Sequence, residues 1–156
     1  MSTTSYAPTV SPLRSRFLWW LATALWLVML GFFSTDMFSA EHTKGVLWLI
    51  VHFFYPSISM ARFDLLHFLV RKTAHFTAYG FLSALAFYSW RTTWLDQARW
   101  KVRWAGLALA LTLAAASLDE YHQTFVSSRT GSAQDVFLDM VGALCFQLVI
   151  AIAAIW

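Results

Sequence analysis

Lys72, His75 and Tyr79 stand at i, i+3 and i+7 in the stretch RKTAHFTAYG, a spacing that sets an ammonium, an imidazole and a phenol on one face of a helix. Glu120 and Gln123 stand three apart in SLDEYHQ, and Asp135, Asp139 and Gly142 follow at i, i+4 and i+7. Arg129 lies between these groups, in TFVSSRTGSAQ. Such a set suits an anion. Arg129 can grip phosphate through its planar fork and Lys72 as a point charge, while Glu120, Gln123 and Asp135 hold those cations or accept sugar hydroxyls. His75 would tune the charge of such a site with pH. The same residues could instead do chemistry, with His75 as nucleophile or proton carrier beside Glu120 and Asp135. Taken singly, each has a plainer role: Lys72 snorkelling to headgroups, His75 a bonded core histidine, Asp135 a helix cap after Ser132, Gly142 a close-packing point. Taken together they exceed what the assembly of a few helices needs, and a functional site is expected.

The elements that must position these residues are read from hydropathy. Of 156 residues, 59% are hydrophobic and 12% charged, where a soluble domain has about a quarter charged. A membrane protein is expected. A hydrocarbon core about 30 Å thick takes roughly 20 helical residues. Four stretches qualify, at 17–33, 73–90, 104–118 and 136–156, the third short enough to need a turn from its flanks. Their apolar runs are continuous rather than alternating, which favours helices over barrel strands. The expected fold is therefore an all-α, four-transmembrane-helix antiparallel bundle over 17–156, behind a disordered cytoplasmic leader at 1–16 rich in Ser, Thr and Pro. The apolar stretch GVLWLIVHFFYPSISM, 45–60, is too short to span and is broken by Pro56. It reads as an interfacial or re-entrant helix in the first outer loop, with a core helix as the competing reading.

Charge sets the sidedness. Arg14 and Arg16 precede the first span, and Arg91, Arg99, Lys101 and Arg103 crowd the connection 91–103. The positive-inside rule places both segments, and so both termini, in the cytoplasm. Trp19, Trp20, Trp90, Trp94, Trp100, Trp104 and Trp156 then fall at the inner interface, where an amphipathic ring anchors well. The basic residues are thereby accounted for without nucleic acid. Cys145 is the only cysteine and lies in an apolar run, so no disulfide forms within the chain. On this topology the polar groups of the second, third and fourth spans gather at the outer end of the bundle. Asp139 lies about one turn inside the bilayer, where a charge costs about 2.5–3.5 kcal/mol on insertion scales, so it must face protein. Asp135 is expected to hold a cation at the rim, and Asp139 to hydrogen-bond His75 or Tyr79.

The run K72-x-x-H75-x-x-x-Y79, then D119-E120-x-x-Q123-x-F125, then R129-x-x-S132-x-x-D135-V136-x-x-D139-x-x-G142 resembles the VanZ-like family of small membrane proteins. The likeness covers roughly 72–146 and puts Lys72, His75, Tyr79, Glu120, Gln123, Arg129 and Asp135 on the family's signature positions. The family usually has Pro-Gly where this chain has Ser127 and Ser128, and Asn where it has Asp139. The resemblance implies a bacterial inner-membrane protein. The member that gives the family its name is associated with resistance to the glycopeptide teicoplanin.

The expected activity is binding of an anionic lipid headgroup or lipid-linked cell-wall intermediate by the outer cluster, in a protein that modulates the envelope and glycopeptide susceptibility. The alternative is a membrane hydrolase or transferase acting on a lipid-linked phosphate or ester. The stretch from Ser128 to Asp135 looks like part of a lipid-phosphatase motif, but that motif needs a His four residues before its Asp, and Gly131 stands there. Only His75 or His122 could replace it. A metal held by His75, Glu120 and Asp135 is a weaker reading, since no HExxH or paired-Cys spacing supports it, and the sequence leaves the cofactor unknown. Transport would require a homo-oligomer. Reporters fused after residue 156 and within 91–103 are expected to read cytoplasm, and one within 124–133 to read outside. A cytoplasmic signal from the 124–133 fusion would invert the sidedness.

Overall fold

The computed structural model describes residues 12–35, 37, 39–94, 98–125 and 131–155. Every regular element of any length among these residues is a helix: α1 is Pro12–Phe33, α2 Ala40–Phe54, α3 Met60–Thr93, α4 Val102–Gln123 and α5 Ala133–Ile155. Of the leader expected at 1–16, residues 1–11 lie outside the described residues and 12–16 form the first turn of α1. Proline is tolerated there because the first N–H groups of a helix have no partner to lose.

Three helices, over Leu13–Phe33, Val102–Gln123 and Ala133–Ile155, are long and apolar enough to cross a membrane by length and composition. The third sequence stretch gains the turn it lacked because α4 continues through SLDEYHQ to Gln123. α3 is different. At 34 residues it is roughly 50 Å long, and its second half carries His75, Tyr79, Ser83 and Ser89 among apolar residues. Tyr79, Ser83 and Ser89 are buried, because α3 is the central helix and packs against α1, α4 and α5.

Each contact of α3 combines polar and apolar contributions. Towards α1, Trp20 Nε1 donates to Thr93 Oγ1 at 2.9 Å, Thr23 and Ser89 share a hydroxyl hydrogen bond of 2.9 Å, and Trp26 Nε1 donates to the Ala78 carbonyl at 3.0 Å. These pairs run antiparallel. Towards α4, the end of the bundle formed by the C-terminal part of α3 and the N-terminal part of α4 closes on Ala86, Phe87, Trp104, Ala105 and Ala108. Trp104 is completely buried in that cluster rather than lying as an interfacial anchor, since the adjoining small residues leave room for the indole. α3 and α5 run parallel, and Gln147 Nε2 donates to both the carbonyl and the hydroxyl of Ser83, at 2.9 and 2.8 Å.

Small residues let α3 and α5 approach. A Cβ at Gly142 would collide with the carbonyl oxygen of Phe76, and one at Gly80 would come within 2.5 Å of the Phe146 ring. Backbone contact of this kind is how helices associate where lipid removes the hydrophobic drive between them.

α2 packs on the first half of α3. Ser39 caps it, and the chain turns at Pro56, whose ring disfavours helix at Tyr55 before it. Thr43 and His67 meet at 3.2 Å, Lys44 and Asp64 at 2.6 Å, and Trp48 lies edge-on to Phe63. Its remaining apolar face, Val46, Leu49, Ile50, Phe53 and Phe54, is exposed, so α2 is not a core helix of this chain.

The glycine contacts give a matched pair of variants. Gly142→Ala must displace backbone at the α3–α5 contact and is expected to destabilise by about 1–3 kcal/mol, the usual range for overpacking. Gly31 has nothing within 4 Å of its Cβ position, so Gly31→Ala should leave the melting temperature in detergent unchanged or slightly raised. Equal melting of the two variants would show that α5 does not sit this close to α3.

Candidate functional site

The polar cluster is assembled from three helix segments: the middle of α3, the last turn of α4 and the first two turns of α5. α3 presents Lys72, His75 and Tyr79 on one side. α5 runs parallel beside it, so Asp135 meets Lys72 and Asp139 meets His75. Lys72 and Asp135 form an ion pair at the rim, with side chains 31% and 20% exposed. One turn deeper, His75 Nδ1 lies 3.4 Å from Asp139 Oδ1. The approach has no hydrogen-bonding geometry, and both oxygens of the fully buried Asp139 are without a partner.

α4 supplies the floor. Tyr79 donates to Asp119 Oδ2 at 2.8 Å, so of the two partners expected for Asp139 it is His75 that lies beside it. The reason is direction: the phenol is one turn beyond His75 and points at the end of α4. Gln123 Nε2 donates to the same Asp119 oxygen at 3.2 Å and to Glu120 Oε1 at 3.4 Å. Glu120, also buried, accepts the Ser132 backbone N–H at 2.7 Å. The loop therefore returns onto the helix it left. Gly131 makes this possible, since a Cβ there would overlap the Glu120 carbonyl. The His that the lipid-phosphatase motif needs at that position has no room in this backbone.

Of the sequence candidates, Lys72, His75, Tyr79, Glu120, Gln123, Asp135 and Asp139 are thus brought to one end of the bundle. Arg129 lies outside the described residues. Within the expected acid–base group His75, Glu120 and Asp135, Asp135 is paired with Lys72, and Asp139 is the carboxylate grouped with His75 and Glu120. His122 faces α1, 3.4 Å from Ser34 Oγ.

Two residues of the site are absent from the sequence candidates. Asp119 is signalled in the sequence only by its i, i+4 spacing to Gln123. Arg71 is the other. It lines a cavity of about 290 Å³ between α1, α2 and α3 together with Ser34, Thr43, His75, Tyr79 and Asp119. Its Nη1 and the Oδ1 of Asp119 are both buried without a partner. Leu30, Phe33, Ala74 and Ala78 complete the wall.

A family model described as VanZ/LLP1 matches residues 17–154. No curated protein and no solved structure matches the chain.

The rim pair can be tested by a double-mutant cycle. Breaking a buried pair costs about 3–5 kcal/mol, and the partial exposure here reduces the expected loss for Asp135→Asn or Lys72→Met to about 1–2 kcal/mol. The double variant should be more stable than the sum of the single losses. Strict additivity in thermal melting would mean that the pair does not form in the membrane protein.

Proposed function

The chain belongs to the VanZ/LLP1 family, and on that premise we propose that it is an inner-membrane protein of the cell envelope that binds an anionic lipid headgroup or a lipid-linked cell-wall intermediate from the outer side. The observation that carries this reading is the cavity beside the cluster, where a buried guanidinium nitrogen of Arg71 and a buried carboxylate oxygen of Asp119 lack partners within the protein. An unmet buried donor and acceptor each cost about 1–3 kcal/mol, and a ligand offering a phosphate oxygen and a hydroxyl or amine would satisfy both once the two side chains turn into the cavity. Leu30, Phe33 and Ala74 give the cavity the apolar wall that an acyl or polyprenyl chain requires.

The bundle in this reading has four crossings. The fourth is residues 73–90 of α3, whose polar side chains are turned towards α1, α4 and α5 instead of lipid. Residues 60–72 and α2, which packs along them, form a helical pair at the outer interface, with Val46, Leu49, Ile50, Phe53 and Phe54 of α2 towards the acyl chains. Both termini are cytoplasmic. Glycopeptide susceptibility would change through the lipid-linked intermediate held at the outer site. Because Lys72 is engaged by Asp135, Arg71 is the primary phosphate ligand, and Arg129 keeps the phosphate-binding role expected from the sequence.

The test is mass spectrometry of lipid retained on the purified, full-length protein. Arg71→Gln is expected to lower retained phosphate-bearing lipid several-fold. Arg62→Gln, on an exposed part of the same helix, should retain the wild-type amount. Equal retention by both variants would remove the cavity as the binding site.

A further inference from the structure

A carboxylate that is wholly buried, with neither oxygen hydrogen-bonded, needs some other compensation. Asp139 is in that state. Its surroundings narrow what the compensation is. One potential ligand atom from each of His75, Glu120 and Asp139 lies within 4.8 Å of the others. His75 Nδ1 also lacks a hydrogen-bond partner, although it is 3.4 Å from Asp139 Oδ1. That separation suits co-ligands better than a hydrogen bond: two ligands about 2.1 Å from a tetrahedral ion are about 3.4 Å apart.

We infer that His75, Glu120 and Asp139 form a binding site for a divalent transition-metal ion, with Zn²⁺ or Mn²⁺ as the matching chemistry. One imidazole nitrogen and two carboxylates are the mixed donor set those ions accept. The ligands come from three different packed helices, which fixes their mutual positions. Glu120 is oriented from behind by the Ser132 N–H, while Gln123 makes only a long contact of 3.4 Å to its other oxygen, the outer-layer support that holds a metal ligand in place. Ligand atoms within 4.8 Å of one another come to the roughly 3.4 Å separation of a shared tetrahedral ion by side-chain movements of about 1.4 Å at most. The two positive charges of the ion offset Glu120 and Asp139, a balance that Lys72 cannot supply because it is paired with Asp135.

Three protein ligands leave a coordination position for water or for an oxygen of a bound molecule. His75 lines the Arg71 cavity as well, so that position adjoins the proposed headgroup site. The inference about the ion does not depend on the lipid reading, since metal uptake is measured on delipidated protein.

The experiment uses tag-free, full-length protein in detergent, stripped with chelator, delipidated and titrated with Zn²⁺ or Mn²⁺. Bound metal is counted by elemental analysis and the affinity read by calorimetry. Wild type is expected to take one ion per chain and to melt at a higher temperature when loaded. Asp139→Asn and Glu120→Gln should each weaken binding by at least about tenfold, and Arg62→Gln should not. Should the variants fold poorly, Co²⁺ loading of wild type provides the answer without substitution: saturable ligand-field absorption at one equivalent, displaced by Zn²⁺, is expected. Wild-type uptake well below one equivalent, or equal affinity in wild type and Asp139→Asn, would overturn the site and leave Asp139 as a carboxyl kept neutral by a proton.

Discussion

The polar face of α3 has to be covered, and most of the architecture follows from that requirement. A helix that carries His75, Tyr79, Ser83 and Ser89 through an apolar bundle leaves hydroxyl, phenol and imidazole groups that lipid cannot satisfy. α1, α4 and α5 surround it, and each supplies a partner: Thr23 for Ser89, Asp119 for Tyr79, Gln147 for Ser83. The close approach that these bonds need is set by Gly80 and Gly142, where any Cβ would strike a neighbour. The large apolar side chains of α1, α2 and α5 are consequently left on the outside, where a soluble protein would not place them.

The same parallel alignment of α3 and α5 creates the layered site. Because the two helices advance together, each turn of α3 meets one turn of α5: Lys72 with Asp135 in the partly exposed rim, His75 with Asp139 beneath it. The antiparallel α4 ends at this level and contributes Asp119, Glu120 and Gln123 from below. Charges of opposite sign are paired at the rim, where water still screens them, while the unpaired carboxylate sits in the deepest layer. A site arranged in this order keeps its strongest unmet electrostatic demand where a bound group would be most shielded from solvent.

The candidate cluster was legible in the sequence because helical periodicity alone places residues three, four and seven apart on one side. Lys72, His75 and Tyr79 are read this way, and so are Asp135 and Asp139. Composition and continuous apolar runs give the membrane class and the helical fold, and the interruption at Pro56 separates α2 from α3. These readings need only local geometry and the length of an apolar run, both of which are properties of contiguous residues.

Pairing across helices was decided by the tertiary structure. Periodicity shows which side of α5 carries Asp139 but not how α5 is rotated and shifted against α3 and α4, and a difference of one turn exchanges partners. That is why Tyr79 reaches Asp119 rather than Asp139, why Asp139 rather than Asp135 joins His75 and Glu120, and why Arg71 lines a cavity that no single segment reveals. It is also why Trp104 is core: its burial depends on the small residues Ala86, Ala105 and Ala108 lying beside it. The offset between packed helices is fixed by backbone contacts such as Gly142 against Phe76, and those arise only once two distant stretches of chain have met.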